Sequence, residues 1–292
     1  MRTLDSHVSH ALGHYGSLLE EHFQCDVIAY VGQIHPVFLQ DFLEFVETLI
    51  EIKSENQLHK KRLVLVLNTP GGVAEAVEKM VEIIRHYYEE VYFIVPNAAM
   101  SAGTIFCMSG DKIYMDYASS LGPIDPQVQT YDGRLVPALG YIDKVNEFIR
   151  KSQSKEGLTD AELIMLKSLD LAMLSRYEQA RELSISLLKM WLVKYKFKDW
   201  KNHRTTKPGT PVTDKQKQQR AEKIAKLLSD NKIWHSHGRM IGIKTLQETL
   251  KLEIEDFTYE KELRRIIRMY SELLMEYVEK QEAPFFMHSC RR

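Results

Sequence analysis

Two rhythms of apolar residues run along this chain. In its first third, short, almost wholly apolar blocks alternate with longer stretches that are apolar only every third or fourth residue. The blocks are 26–31, 63–67 and 91–96. Each is rich in Val, Ile and Leu, and the first two stop at Gly32 and at Asn68-Thr69-Pro70-Gly71-Gly72. They read as strands buried on both faces. Between them, Phe38, Phe42, Phe45, Val46 and Leu49 recur at helical spacing, and residues 74–90 repeat the pattern. Strand, helix, strand, helix, strand predicts right-handed crossovers and a mostly parallel sheet, an α/β fold. From about residue 142 the strand rhythm disappears. Residues 160–197 read as one long helix, apolar at Leu163, Leu166, Leu169, Met173 and Tyr177, and further helices follow near 216–231, 244–252 and 259–281. Residues 203–216, with two prolines, read as a linker, and 288–292 as a frayed tail. The expected division is a core over 1–150 and a helical extension over 151–292 whose final helices pack on the core or make an oligomer contact.

Charge refines this picture. The chain has 292 residues and a formal net charge of −1, which argues against whole-molecule binding to nucleic acid or an anionic membrane. Residues 194–226 nevertheless carry eleven Lys or Arg against three Asp or Glu. Tyr195, Phe197 and Trp200 lie among them, a mixture that can stack on single-stranded nucleic acid. No nucleic-acid-binding motif accompanies it, so a solvated helix surface with a few packing residues is the preferred reading, with an acidic partner or an acidic part of a neighbouring subunit as a further one. Cys25, Cys107 and Cys290 are odd in number and far apart, with neither disulfide nor metal spacing. No apolar run approaches the roughly 18–20 residues of a membrane span, and the first residues lack the apolar core of a signal peptide. A reducing, cytoplasmic setting is the expectation. No P-loop pattern occurs, and no metal or other cofactor is called for.

Two short elements carry the candidate chemistry, each where a predicted parallel strand ends, the position at which ligands bind in open α/β sheets. The first is Asn68-Thr69-Pro70-Gly71-Gly72-Val73. Its paired glycines allow a sharp turn that leaves backbone N–H groups exposed to an oxyanion or an extended peptide. The second is Ala98-Ala99-Met100-Ser101-Ala102-Gly103-Thr104, a serine among small residues where a strand gives way to a helix. Each has a plain alternative: a strand-to-helix turn for the first, a helix-capping serine for the second.

Taken together and in order, these elements resemble the signature of the Clp protease proteolytic subunit. The stretch from Ser101 to Gln127 resembles more closely the serine dehydrogenase proteinase family, a Clp/crotonase-fold group related to signal peptide peptidase A. The resemblance covers roughly 26–130, and 233–241 resembles a later motif of that family. It implies a serine endopeptidase acting on extended polypeptides, assembled as a homo-oligomer. It also implies Ser101 as nucleophile, the amides of Gly71 or Gly72 and of Ala102 as oxyanion hole, and Val73 as a backbone partner of the substrate.

The chain departs from the Clp pattern at the base. Where a histidine is expected there stands Gly122-Pro123-Ile124-Asp125-Pro126, and a serine hydroxyl needs a base to act at neutral pH. Lys144, in the apolar context Leu139-Gly140-Tyr141-Ile142, is the expected partner in a Ser-Lys dyad, provided burial lowers its pKa; Asp143 beside it works the other way. His237 is the alternative base. Asp125 would orient a base or hold substrate, or is simply a turn residue. Two non-peptidase readings stay open: a catalytically silent scaffold of the same fold, and a crotonase-like enzyme binding acyl-CoA.

Overall fold

A computed structural model describes residues 3–55, 60–124, 127–129, 135–155, 157–203 and 208–290. The chain opens with α1 (Thr3–Phe23), then β1 (Asp26–Gly32), α2 (Leu39–Glu55), β2 (Arg62–Asn68), α3 (Ala74–Tyr87) and β3 (Glu90–Val95). Next come β4 (Ala98–Ala99), α4 (Ala102–Cys107), β5 (Lys112–Met115) and β6 (Ser120–Leu121). β7 (Gln127–Gln129) and β8 (Leu135–Pro137) form a small antiparallel ribbon. The helices α5 (Ala138–Ser152), α6 (Asp160–Lys167), α7 (Leu171–Trp191), α8 (Asp214–Leu228), α9 (Asn231–Trp234) and α10 (Ile243–Glu248) follow. β9 (Glu255–Asp256), α11 (Lys261–Gln281) and β10 (Phe285–His288) end the described chain.

The main sheet has the order β10-β1-β2-β3-β5-β9, parallel throughout except for β10, which runs antiparallel to β1. Side chains alternate across a strand, so the all-apolar blocks serve two cores at once. Leu63, Leu65, Leu67, Phe93 and Val95 face one side, under α2, α3, α4 and the later helices. Val64, Val66 and Ile94 face the other, under α1 and α11.

Three differences from the sequence reading have local causes. The long helix of 160–197 is broken, because Asp170 caps a new helix by accepting from the N–H groups of Ala172 (2.8 Å) and Met173 (3.2 Å). Such a cap favours a fresh start over a continuous helix. The C-terminal residues 288–290 are not frayed: Phe285–His288 adds an edge strand, His288 and Ser289 are buried, and Tyr270 Oη lies 2.8 Å from His288 Nδ1. Finally, α1 had no counterpart in the reading of the sequence.

α11 also steadies the end of the sheet that carries the site. Asp116, fully buried, accepts from Arg264 Nε at 2.9 Å and Arg268 Nε at 3.1 Å, and Arg268 Nη1 donates to Asn97 Oδ1 at 2.9 Å. Burial alone would raise the Asp116 pKa, but bonds from Arg268 and the Ala118 N–H outweigh it and hold the carboxyl below its ordinary range.

Candidate active site

The turn after β2 is held on both sides. Toward β4, the Thr69 N–H donates to Ala98 O (2.9 Å) and the Met100 N–H to Thr69 O (3.0 Å). Toward the segment after β1, the Ile34 N–H donates to Gly71 O (2.9 Å) and the Val73 N–H to Ile34 O (3.0 Å). Gly71 and Gly72 have φ of +107° and +150°, where other residues are strained. A Cβ on Gly72 would lie 1.8 Å from Ile34 O, and one on Gly71 would lie 2.7 Å from Met100 O and 2.9 Å from Ser101 Cβ. The glycine pair is therefore required by backbone approach as well as by φ. It brings the turn directly against Ser101.

Ser101 stands at the start of α4 with φ +51° and ψ −111° and is 6% exposed. A non-glycine residue in such a conformation costs roughly 1–3 kcal/mol and persists only where its surroundings enforce it. The surroundings do so here. Thr104 Oγ1 lies 2.9 Å from both Ala99 O and Gly122 O and accepts the Gly122 N–H at 2.9 Å, tying the strand before Ser101 to the segment after β6. Gly103 packs against Thr69, whose Cγ2 would be 2.4 Å from an added Cβ.

Ser101 lines a cleft of about 210 Å³. One wall is Gly72, Val73, Ala102, Ile105 and Ile124; the other is the inner face of α7, with Met173, Tyr177, Ala180 and Ser184. Glu75 and Arg176 bring charge to it. Of the expected oxyanion donors, the Gly71 N–H is engaged by Thr69 Oγ1 at 3.0 Å. The N–H groups of Gly72 and Ala102 have no hydrogen-bond partner among the described residues, and both residues line the cleft. The Val73 N–H is taken by Ile34, so Val73 meets the cleft as wall.

The expected bases do not join this group. Lys144 has 55% of its side chain exposed, pairs with Glu147 at 3.0 Å and lies 5.1 Å from the Phe148 ring centre. Ile142, Val145 and Phe148 form the buried stripe of α5. Lys144 lies about 40° from Phe148 around the helix, at the edge of that stripe, but its side chain stays exposed and its charge is met by Glu147. Apolar neighbours in sequence thus do not desolvate it. His237 is half-buried in the turn after α9, outside the cleft, in a segment joined to β6 by the reciprocal bonds of Ile241 and Leu121 (2.8 and 3.0 Å). Asp125 lies outside the described residues. The described titratable residues of the cleft are Glu75, Arg176 and Tyr177.

The interleaved aromatics of the basic block serve packing: Phe197 is buried and Tyr195 and Trp200 pack on the same core, with Arg85 over the Tyr195 ring at 3.8 Å. Part of the positive charge is spent internally, as in the 2.6 Å pair of Lys198 with Asp111. Among the described residues no helix is long and apolar enough to cross a membrane. The contribution of α7 to the cleft was missed in the sequence, where Met173 and Tyr177 look like any helical core stripe.

A family model described as ClpP-like SDH-type serine proteinase matches residues 44–210. Two uncharacterized proteins of Methanocaldococcus jannaschii align over shorter stretches. One is 39% identical over 71 residues, 24% of this chain and 25% of the relative; the other is 36% identical over 67 residues, 23% of each. The chain thus spans about a quarter of the length of the curated relatives it matches. Two solved structures of mutants of the membrane-bound stomatin-specific protease 1510-N are similar at a TM-score of 0.44. The first, in complex with a substrate peptide, is 16% identical, covering 81% of this chain and 75% of that one. The second is 15% identical, covering 82% and 81%.

Proposed function

We infer the function of this chain from the family to which it belongs, the ClpP-like SDH-type serine proteinases, and from the cleft around Ser101: it is a serine endopeptidase acting on extended polypeptides. The observation that carries this reading is a strained, buried serine lining a cleft with two open backbone N–H groups, those of Gly72 and Ala102. Ser101 Oγ attacks the scissile carbonyl and gives its proton to a base. The oxyanion that forms is held by Gly72 and Ala102, at about 3–4 kcal/mol per donor. Collapse breaks the C–N bond, the leaving amine takes the proton, and water releases the acyl group by the reverse path.

For the base we assign Lys144, with His237 as the alternative. Lys144 sits on α5, whose Ile142 packs with Tyr177 of the cleft wall. To act, α5 must turn, the pair with Glu147 must open, and the ammonium must lose water so that its pKa falls. A second reading, a silent scaffold of the same fold, is favoured by one observation: no lysine or histidine is among the described residues lining the cleft. Homo-oligomerisation belongs to the same proposal and is supported by the exposed apolar side chains Ile164, Met165 and Leu171. So do an acidic partner for 194–226 and a cytoplasmic location, the latter supported by three free cysteines.

The test is labelling with a panel of serine-directed electrophiles, with the adduct located by mass spectrometry. A Ser101 adduct absent in Ser101→Ala establishes the nucleophile. Its loss in Lys144→Ala, with folding intact, assigns the dyad. Retention there with loss in His237→Ala moves the base. No adduct in folded protein favours the scaffold.

A further inference from the structure

The cleft carries charge that the proposed chemistry does not use. Arg176 projects from α7 beside Met173 and Tyr177, and Glu75 stands in the first turn of α3 beside Gly72. Neither forms an ion pair among the described residues, with each other or with any other group. On its own helix Arg176 has Ala172 and Met173 on one side and Gln179 and Ala180 on the other, at the spacings where a carboxylate would neutralise it. The acids nearest in sequence, Glu178 and Glu182, fall elsewhere on the helix surface, and Glu182 pairs with Arg181 at 3.5 Å. Lys79, at the matching spacing from Glu75, is paired with Glu82 at 2.7 Å. Among the described residues the cleft thus has one exposed, unpaired cation on the α7 wall and one exposed, unpaired anion on the opposite wall.

An arginine in this position is suited to a carboxylate, since its planar fork donates two parallel N–H···O bonds. Met173, Tyr177, Ile105 and Ile124 line the cleft beside it, while the Arg176 side chain itself is exposed, so a carboxylate can reach it from solvent without displacing a partner. Glu75 repels the same group from the other wall.

We propose that Arg176 is the specificity determinant of this cleft and selects substrates bearing a carboxylate beside the scissile bond. That carboxylate is an acidic side chain or a free C-terminus, held on the α7 wall. The inference rests on the peptidase reading for its cleavage arm only, because binding tests it separately.

The experiment uses the full chain carrying Ser101→Ala and, in parallel, the unaltered protein. Fluorescent peptide libraries are prepared in matched sets: Glu against Gln and against Lys at each position, and a C-terminal acid against the amide. Binding is read by anisotropy on Ser101→Ala, and cleavage is read on the unaltered protein. Acid-bearing peptides should be preferred about two- to fivefold, the range of an exposed ion pair. Arg176→Gln should abolish the preference and Arg176→Glu should turn it toward Lys, a reversal that loss of packing does not produce. Preference in the Glu set assigns the side chain, and preference in the acid-against-amide set assigns the terminus. Equal binding of Glu and Gln peptides, with no acid-against-amide difference, overturns the proposal, as does a preference that survives Arg176→Glu. Acid-selective binding without cleavage leaves Arg176 in place and sinks the peptidase reading; cleavage without acid selectivity does the opposite.

Discussion

Replacing Gly71 by Ala tests whether the glycine turn and Ser101 form one mechanical unit. The added Cβ would sit 2.9 Å from Ser101 Cβ and 2.7 Å from Met100 O, contacts that real side chains do not make, at a φ of +107°. Two penalties follow. Holding a residue with a Cβ at that φ costs about 1–3 kcal/mol, and overpacking a buried contact costs about 1–3 kcal/mol more. If the turn stays where it is, stability falls by about 2–6 kcal/mol. If the clash is relieved instead, Ser101 and Met100 are displaced, because the hydrogen bonds of Ile34 and Thr69 hold the turn itself. Urea unfolding reads the first outcome as a lower midpoint at unchanged slope, and the labelling rate of Ser101 by a small electrophile reads the second. One or both must change. A variant with the parent midpoint and a labelling rate within about twofold of the parent refutes the coupling of turn and serine.

Two further outcomes probe the frame around the site. Lys53 is 2% exposed and is paired with the fully buried Asp26 at 2.9 Å and with Glu20. Lys53→Met, which strands a buried carboxylate, should cost about 3–5 kcal/mol in urea unfolding; a loss under about 1 kcal/mol would show that water already reaches this network. Burial lowers the His288 imidazole to about 4, against about 6.5 in an unfolded chain. Between those values the unfolded chain binds a proton that the folded one refuses, so the contribution is complete above about pH 6.5 and is lost as pH falls toward 4, up to about 3 kcal/mol. His288→Gln should flatten the unfolding midpoint over that window relative to the parent, and parallel pH curves would contradict the assignment.

What the sequence made legible follows from how far each feature depends on its neighbours in the chain. The parallel core was readable because strands buried on both faces must be apolar at every position, as 63–67 is. α1 was not, although Val8, Leu12, Tyr15, Leu19 and Phe23 recur at helical spacing, because histidines and serines crowd its first turns and Gly13 and Gly16, poor helix formers, interrupt the stripe. β10 is four residues long and gains its place only because Gly32 lets Phe285 approach, an added Cβ there falling 2.5 Å from Phe285 Cα. The glycine turn and Ser101 could be named in advance because each is a local backbone solution. The wall from α7 could not, since nothing in its periodicity distinguishes residues facing a core from residues facing a cleft.

That division bears on the missing base. The proposed nucleophile and oxyanion donors come from turns locked by short backbone bonds within the sheet, which do not involve the helices above them. The cleft's other wall belongs to α7, which is anchored by Leu187, Leu188 and Trp191 in its C-terminal half, whereas Tyr177 alone is buried in the half that overhangs Ser101. α5 rests on that same half through Ile142 and Tyr177. A small rotation of this helical pair therefore alters which side chains reach Ser101 while leaving the oxyanion site intact. A peptidase built this way separates an invariant reaction centre from an adjustable wall that supplies base and specificity. It follows that substitutions in the α5–α7 contact, such as Ile142→Ala, should change the electrophile labelling rate of Ser101 more than they change the unfolding midpoint. An unchanged labelling rate with a lowered midpoint would place the base elsewhere and return α5 and α7 to a purely structural role.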